Sequence, residues 1–188
     1  MDTLPDYLRE GLDIVFVGLS PSVLSARAGH YFANPRNRFW PAVNAAGLLP
    51  EPLTAQQDHR MLESGMGFTD IVKRPTRGVG ELTTEEFRAG APVLREKLLR
   101  YRPRIVCFHG LTLYRHYLRY AEGEDPRDVA LGLQPHPIGA SRAFVVPNPS
   151  PANAAFRLED LVGWYRRLKE LRDALRAGAP STAAPPPR

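Results

Sequence analysis

Four short apolar runs recur along the chain, separated by longer segments with helical periodicity. The runs cover residues 13–18, 68–72, 104–110 and 142–147. Short continuous apolar runs bounded by Gly, Pro or polar residues are typical of strands buried on both faces of a parallel sheet. Strands that alternate with helices predict an α/β fold, here a three-layer α/β/α sandwich around a four-stranded parallel sheet.

The helices are predicted from caps and apolar stripes. Thr54 and Thr83 are each followed three residues later by Gln or Glu, which is the spacing of a capping box at the start of a helix. Apolar residues at helical spacing over residues 158–171 predict a long amphipathic helix near the end of the chain. Residues 18–38 are expected to form a loop, and residues 121–142 an irregular segment or a small hairpin.

Composition then bounds the class of protein. The 188 residues are 43% hydrophobic and 24% charged, which is ordinary for a globular domain, and no apolar run is long enough to span a membrane. We predict one domain over residues 1–176 and a disordered tail, rich in Pro and Ala, over residues 177–188. The first residues lack the basic and apolar layout of a signal peptide, which predicts a cytoplasmic protein.

Cysteine and histidine give no indication of a metal or a cofactor. The single cysteine, Cys107, lies in an apolar run, so an internal disulfide and a site held by four thiolates are both excluded. The five histidines lack the spacing of metal ligands, so we predict no metal and no cofactor. The formal net charge of +5 permits attraction to phosphate backbones, although charge alone is weak evidence for a nucleic-acid partner.

Two loops of similar composition follow apolar runs, one near each end of the chain. The first covers residues 18–22 and begins with Gly18, and the second covers residues 147–153; both contain Ser and Pro. In open α/β sheets, ligands bind at the carboxyl ends of the strands. We therefore expect the two loops to face each other across one pocket.

Four motifs occur in order at the ends of predicted strands. They are Gly18-Leu19-Ser20-Pro21, Phe32-Ala33-Asn34-Pro35 followed by Asn37-Arg38-Phe39-Trp40, residues 67–76, and Asn148-Pro149-Ser150. Together they resemble the uracil-DNA glycosylase superfamily, and most closely its mismatch-specific uracil/thymine branch, over roughly residues 12–172. The resemblance implies a sandwich with the strand order 2-1-3-4. It also implies a monofunctional, metal-free enzyme that removes uracil and related modified pyrimidines from DNA in base excision repair.

Excision of a base places three demands on a pocket. The nucleotide must first leave the duplex, which costs least at a mismatch such as uracil opposite guanine. Cleavage then develops positive charge on the sugar and negative charge on the base, so donors and a group that holds water are needed. The resemblance implies that Phe32 stacks on the base and that the backbone at Leu19 and Phe32 contacts its edge, with Gly18 allowing close approach. Asn37 is either a helix cap or a pocket ligand.

Ser20 departs from the family, which has a water-holding Asn at this position. A hydroxyl is shorter than an amide and offers fewer hydrogen bonds. Asp70, at the end of the second strand, is the candidate replacement, because a carboxylate would offset the cationic sugar and orient water. The mismatch-specific branch usually has Lys at this position, so the two changes would compensate each other. The alternative is that Asp70 caps a turn or pairs with Arg74.

The second motif is expected to reach the flipped nucleotide and its phosphates through Asn148, Pro149 and Ser150. The next segment, Pro151-Ala152-Asn153-Ala154, stands where relatives carry a bulky Leu and an Arg that probes the guanine. Its small residues are expected to contact DNA with weaker discrimination for the opposite base and broader substrate use. Asn153 is also predicted to be the N-cap of the last helix.

Basic residues after the first two strands, among them Arg36, Arg38, Lys73 and Arg74, are predicted to follow the phosphate backbone of double-stranded DNA that carries uracil mismatches. We expect a monomer that associates with the nucleoid when it binds DNA. One alternative is a base- or DNA-binding module of the same fold without catalysis. A nucleotide-binding α/β protein is disfavoured because no phosphate-loop motif follows a strand. A sister branch with an iron–sulfur cluster is disfavoured by the lone cysteine.

Overall fold

The computed structural model describes residues 2–178 of the protein. Residues 177–178 form a turn after the last helix, and the rest of the predicted disordered tail, residues 179–188, lies outside the described residues. None of the helices within the described range is long and apolar enough to cross a membrane.

The centre of the fold is a five-stranded sheet with the order β2-β1-β3-β5-β4. The strands are β1 (Ile14–Gly18), β2 (Met66–Asp70), β3 (Ile105–His109), β4 (Gly132–Leu133) and β5 (Arg142–Val146). The first three and β5 are parallel, and their order confirms the predicted arrangement of four strands. The antiparallel edge strand β4 pairs with the next strand, β5, so the segment predicted to be irregular or a small hairpin forms a hairpin. Its bounds were not predicted, because two residues are too few to produce an alternating pattern.

Helices cover both faces of this sheet, as predicted. They are α1 (Val23–Ala28), α2 (Phe39–Ala45), α3 (Thr84–Tyr101), α4 (Leu111–Tyr117) and α5 (Leu158–Arg176), with 3₁₀ helices at Ala55–Ser64 and Val79–Glu81 and a π-helical turn, Leu118–Glu122, after α4. One apolar cluster packs α2 and α5 against Phe16 and Phe68 of the sheet. A second packs α3 and α4 against Val17 and Phe108 on the opposite face.

The helix predicted after the Thr54 capping box is confirmed over Ala55–Ser64, where it is a 3₁₀ helix. Two other local predictions were wrong. The segment predicted as a loop contains α1, whose first turn is capped by the Ser22 hydroxyl, which accepts from Ser25 N at 3.0 Å. Asn153 is not the N-cap of α5: the helix starts five residues later, where Arg157 N donates to Asp160 Oδ2 at 2.7 Å.

The strand register places three positions in one row at the carboxyl edge of the sheet. Gly18 is the register partner of Asp70, and Val17 is the partner of Phe108, so His109 is level with Gly18 on the other side. Side chains alternate between the faces of a strand. Asp70, Gly18 and His109 therefore share the face of Phe68, Phe16 and Cys107, toward α2 and α5.

Removal of the Thr83 side chain tests how much the N-cap of α3 contributes to stability. Thr83 Oγ1 accepts from Glu86 N at 3.2 Å, while Glu86 accepts from Thr83 N at 2.9 Å. We expect Thr83→Ala to lower the free energy of unfolding by about 1 kcal/mol, since a backbone donor loses its partner. Urea denaturation followed by circular dichroism measures the change. Thr84→Ala, at the exposed next position, is the matched control, and equal effects of both substitutions would contradict the capping role.

Candidate active site

A cavity of about 750 Å³ opens at the carboxyl edge of the parallel strands. Both loops singled out in the sequence line it, as expected from their positions at strand ends. Of the predicted site residues, the cavity brings together Gly18, Leu19, Ser20, Phe32, Asn37, Asp70, Asn148, Ser150, Pro151, Ala152 and Asn153. Pro149, Arg36 and Arg74 are not part of its lining.

Asp70 ends β2 and is buried, with 6% of its surface exposed. Its Oδ1 atom lies 2.5 Å from the place that a Cβ atom on Gly18 would occupy, so the carboxylate fills space that only glycine leaves. Its Oδ2 atom has no hydrogen-bond partner within residues 2–178. Lys73 Nζ stands 3.6 Å from Oδ2, so the ion pair is with Lys73, not with Arg74.

Burial raises the pKa of the Asp70 carboxyl from 3.8 to about 6. The positive charge of Lys73 opposes this rise, and the negative charge of Asp6 adds to it. Lys73 Nζ is itself held by Asp6 Oδ1 at 2.8 Å, which limits how much it neutralises Asp70. The carboxylate is thus mostly ionised at neutral pH, in a poorly solvated position beside the cavity.

The Ser20 hydroxyl is engaged with another side chain. Its Oγ atom lies 2.7 Å from Thr76 Oγ1, and Thr76 is buried. Thr76 is fixed in turn by its backbone, because its N–H donates to Pro21 O at 3.0 Å. Ser20 therefore has part of its hydrogen-bonding capacity committed within the protein, which agrees with a minor role in holding water.

Phe32 forms an aromatic wall of the cavity. Its ring stacks on Phe39 with 4.2 Å between centroids and 21° between planes. The backbone of Phe32 has φ of 53°, a left-handed conformation that a bulky residue rarely adopts. Strained backbone of this kind persists where the surroundings fix it, and it clusters at functional sites.

The surroundings that fix Phe32 centre on Asp58, which is fully buried. Asp58 Oδ2 accepts from Tyr31 N at 2.8 Å, and its Oδ1 lies 3.0 Å from His30 Nδ1. On the other side of Phe32, Ala33 N donates to Ser25 Oγ at 3.1 Å. The residues before and after the strained position are both anchored by buried side chains.

Asn37 lies one residue before Arg38, the N-cap of α2, and lines the cavity. Its Oδ1 atom accepts from Phe39 N at 2.8 Å, at the first residue of α2. The same side chain thus binds the free N–H at the start of α2 and borders the cavity, and its contact with a ligand stays a prediction.

Arg38 connects the two sides of the site. Its Nη2 atom donates to Ser150 O at 2.8 Å and to Asn153 O at 3.0 Å, and its Nη1 atom donates to Phe156 O. The prediction that Arg38 follows a DNA backbone was wrong, because its guanidinium donates its hydrogen bonds to carbonyl groups of the loop that follows β5. Arg38 is a structural clamp on that loop.

Within this loop, Asn148 and Asn153 close a tight turn. Asn148 Oδ1 accepts from Ser150 N at 2.9 Å, and Asn153 Nδ2 donates to Asn148 O at 3.0 Å. Pro149 is buried, whereas Pro151 and Ala152 are exposed. The tip of the loop presents two small side chains to solvent at the mouth of the cavity.

The two arginines predicted to bind DNA differ in their surroundings. Arg36 is exposed near the cavity. The guanidinium of Arg74 forms an ion pair with Glu86, with Nε 2.6 Å from Oε1. Binding of a phosphate by Arg74 would have to compete with this pair, and the DNA contacts of both residues stay predictions.

Sequence reasoning missed two residues of the site, Asp58 and His109 at the end of β3. It also missed that Arg38 holds the loop after β5. His109 lines the cavity, is 2% exposed, and stacks on Phe16 with 5.5 Å between ring centroids. The alternation along β3 was the available signal, since His109 is the polar residue that follows Cys107 by two. Within the described part of the chain, no group of three or more His, Cys, Asp or Glu side chains is placed to hold a metal ion.

Comparison with known proteins agrees with this geometry. The family model described as the uracil DNA glycosylase superfamily matches residues 5–172. A solution NMR structure of a protein described as a candidate uracil DNA glycosylase, from Methanosarcina acetivorans, is similar in fold, with a TM-score of 0.57 and 23% sequence identity. The alignment covers 90% of this chain and 98% of that chain. The α/β architecture predicted from the sequence is thereby confirmed.

The buried charge of Asp70 is expected to lower the free energy of unfolding at neutral pH. A carboxyl whose pKa is raised by folding weakens the fold as the pH rises from 3.8 to about 6, since the unfolded chain ionises first. We expect Asp70→Asn to be more stable than the wild type at pH 7, by about 2–3 kcal/mol, and equal to it near pH 3.5. Lys73 keeps its partner Asp6 in this variant.

Urea denaturation of both proteins at a series of pH values measures the difference. Asp125→Asn, at an exposed carboxylate outside the cavity lining, is the control and should change stability little at any pH. A wild type that is more stable than Asp70→Asn at pH 7 would contradict the assignment of an unfavourable buried charge.

Proposed function

The chain belongs to the uracil DNA glycosylase superfamily, and from this premise we propose that it excises uracil and related modified pyrimidines from DNA. The membership supports a DNA glycosylase, an enzyme that hydrolyses N-glycosyl bonds. We place it in the mismatch-specific, monofunctional branch, acting in base excision repair. The observation that carries the proposal is the ionisable carboxylate of Asp70, buried beside an aromatic cavity at the carboxyl edge of the sheet.

The reaction breaks the bond between the sugar C1′ atom and the base nitrogen. The bonding electrons leave with the base, so positive charge develops on the sugar and negative charge on the base. Water then bonds to C1′ through its oxygen, and one of its protons ends on the base nitrogen. The products are the free base and a sugar that carries a hydroxyl at C1′.

Asp70 is the group best suited to stabilise the cationic sugar. Electrostatic stabilisation is strongest where water is excluded, and Asp70 is almost fully buried. Its carboxylate is an acceptor, so it can also orient the attacking water. Ser20, whose hydroxyl is bonded to Thr76, is left with a secondary role.

Phe32 is suited to stack on the base. One face of its ring is covered by Phe39, and the side chain lines the cavity. Stacking of a base on an aromatic ring contributes about 1–3 kcal/mol, which helps to offset the cost of flipping the nucleotide. A rigid wall suits this role, because no ordering of the loop is then needed on binding.

The loop after β5 suits a broad choice of opposite base. Its exposed tip consists of Pro151 and Ala152, which lack the bulk and the charge that would probe a guanine. We propose that a preference for uracil opposite guanine arises from the lower cost of opening that pair. We further propose that the protein acts as a monomer in the cytoplasm, at nucleoid DNA, without a metal or cofactor.

The second candidate is a module of the same fold that binds uracil-containing DNA without cleaving it. The observation that favours it is Ser20, which replaces the water-holding Asn and is bonded to Thr76. The two candidates differ in one product: only the enzyme leaves abasic sites that alkali converts to strand breaks.

The catalytic role of Asp70 is tested by single-turnover cleavage of a duplex with one uracil opposite guanine. We expect Asp70→Asn to lower the rate about 100-fold or more, since the group that offsets the sugar charge is lost. Ser20→Ala should lower it less than 10-fold. Alkali treatment and gel electrophoresis quantify the abasic product.

Asp125→Asn is the control, because this carboxylate lies outside the cavity lining. Binding of each variant to uncleaved duplex, followed by fluorescence anisotropy, separates loss of chemistry from loss of affinity. A rate for Asp70→Asn close to that of the wild type would overturn the proposed role. A wild type that binds the duplex and produces no abasic sites would support the binding module.

The opposite base is tested by comparing three substrates that carry the same uracil. We expect excision opposite guanine to be faster than opposite adenine, the single strand to be at least as good a substrate as the guanine duplex, and all three rates to lie within about 10-fold, since no side chain of the loop tip probes the partner base and only the cost of freeing the uracil differs. The measurement is the single-turnover rate on each substrate. Excision confined to the guanine duplex would contradict this account.

A further inference from the structure

Two carboxylates near the edge strand β2, Asp6 and Asp70, share the neighbouring cations unevenly. Asp70 is the more buried, with 6% of its side chain exposed against 22% for Asp6. Burial makes an ionised carboxylate costly unless hydrogen bonds satisfy it. Yet Asp70 Oδ2 is a buried atom without a hydrogen-bond partner in the described part of the chain, whereas Asp6 accepts from three side chains. This distribution is the reverse of the one that stability alone favours.

The three donors to Asp6 are two ammonium groups and a hydroxyl. Asp6 Oδ1 accepts from Lys73 Nζ at 2.8 Å and from Thr69 Oγ1 at 2.8 Å, and Oδ2 accepts from Lys97 Nζ at 2.6 Å. Burial opposes the ionisation of Asp6, but the hydrogen bonds from Lys73 and Lys97 outweigh it and lower the pKa of this carboxyl. Asp6 is therefore a carboxylate at neutral pH and holds both ammonium groups.

Backbone pairing fixes Asp6 in this place. The residue after it forms an antiparallel bridge to β2, in which Tyr7 N donates to Phe68 O at 2.9 Å and Phe68 N donates to Tyr7 O at 3.0 Å. The approach is close because Gly67 has no side chain: a Cβ atom there would lie 2.1 Å from Tyr7 O. The position of Asp6 beside β2 is thus set by the backbone of the edge strand.

The ammonium group of Lys73 is shared between the two carboxylates. Its Nζ atom lies 2.8 Å from Asp6 Oδ1 and 3.6 Å from Asp70 Oδ2, so only the first contact is a hydrogen bond. A small movement of Nζ would bring it within hydrogen-bond distance of Asp70 Oδ2. Asp6 competes for the same ammonium group, and its shorter contact is the one that is formed.

Other ionisable groups face Asp70 from α3, from the segment after α1 and from β3. Lys97 of α3 lowers the pKa of Asp70 through its charge and is itself bound to Asp6. Tyr31 stays neutral, because burial and the charge of Asp70 raise its pKa. His109 stays neutral as well, because burial lowers its pKa to about 3. The charge around the Asp70 carboxylate is therefore decided by Asp6 and the two lysines.

We propose that Asp6 is a positioning residue, which binds Lys73 and thereby leaves the Asp70 carboxylate available to the sugar and the attacking water. This inference rests on the proposed function. An ammonium group bonded to Asp70 would place positive charge beside the sugar that becomes cationic, and it would occupy the oxygen that orients water. Asp6 thus maintains the unfavourable charge on which the proposed chemistry depends.

The first test measures the titration of Asp70 by NMR, with ¹³C-labelled aspartate in the full-length protein. The Asp70 carboxyl resonance is assigned as the one that Asp70→Asn removes. We expect Asp6→Asn to lower the pKa of Asp70 from about 6 by about 1 or more, because the charge of Asp6 is lost and Lys73 is free to bind Oδ2. The new amide keeps an oxygen that accepts from Thr69.

Asp173→Asn is the matched control, since it removes a carboxylate that binds Lys169 Nζ at 3.0 Å on α5, outside the cavity lining. This substitution should leave the titration of Asp70 unchanged. An unchanged or higher pKa of Asp70 in Asp6→Asn would overturn the proposal. Because the titration requires neither DNA nor excision, failure of the proposed function is distinguishable from failure of this inference.

Lys73→Gln keeps the proposal falsifiable if circular dichroism shows that Asp6→Asn does not fold. With Asp6 in place, loss of Lys73 should raise the pKa of Asp70 by about 1 or less, because Lys73 forms its hydrogen bond with Asp6. A larger rise would show that Lys73 already neutralises Asp70 and would overturn the proposal. In the Asp6→Asn background the same substitution should raise the pKa of Asp70 more, which is the coupling that a double-mutant cycle measures.

The second test follows single-turnover excision of uracil opposite guanine over a range of pH, at saturating enzyme. The wild-type rate should rise with pH as Asp70 ionises near pH 6 and then reach a plateau. Asp6→Asn should reach its plateau at a lower pH, since Asp70 ionises earlier, and that plateau should be about 10-fold lower, since Lys73 then pairs with the carboxylate. Adding Lys73→Gln to Asp6→Asn should recover most of the loss.

Asp173→Asn is again the control and should keep the wild-type rate and pH profile. A folded Asp6→Asn protein with the plateau of the wild type would overturn the role of Asp6 in excision. A lower plateau that Lys73→Gln does not recover would also overturn it, because the loss would then come from a change of structure and not from Lys73.

Discussion

A carboxylate buried beside a glycine is the constraint on which the site depends. Asp70 reaches over Gly18 because the parallel register pairs the two positions and Gly18 has no side chain. Removing the carboxylate from water is unfavourable, and Lys73, shared with Asp6, compensates only in part. The two apolar clusters that cover the sheet supply the stability that tolerates this charge. In the proposed function, an unfavourable charge is retained in the site at a cost in stability, which is a common relation between stability and activity.

Two further charged side chains, Asp58 and Arg38, hold the walls of the cavity in place. Asp58 anchors the residue before Phe32, and Arg38 joins the start of α2 to the loop after β5. Neither side chain needs to touch a substrate for this role. The cavity is thus bordered by segments that hydrogen bonds from Asp58, Ser25 and Arg38 hold in place. Such a preorganised site loses little conformational entropy when it binds.

The sequence allowed prediction of the strands, from their repeated apolar runs, and of the loops that end them. The four apolar runs predicted the parallel strands and their layers, and Gly18, Phe32 and Asp70 were placed at one cavity. Two kinds of feature were missed. The start of α5 is set by the bond from Arg157 N to the Asp160 side chain, which replaces the expected cap at Asn153. The direction of the Arg38 guanidinium is decided by carbonyl groups more than a hundred residues away. The sequence does not distinguish an arginine exposed on a surface loop from one, such as Arg38, whose guanidinium is bonded within the protein.

The strand order places Asp70 and His109 on opposite walls of the cavity. Asp70 lies one strand from Gly18 on one side, and His109 lies one strand away on the other, so their backbones are about 10 Å apart. A buried carboxylate, Asp70, thus stands on one wall of the cavity and a buried imidazole, His109, on the other. In the proposed reaction positive charge develops on the sugar, so the proposal places the sugar toward Asp70 and β2. The reverse orientation would put the negative charge of the leaving base beside a carboxylate, which is unfavourable.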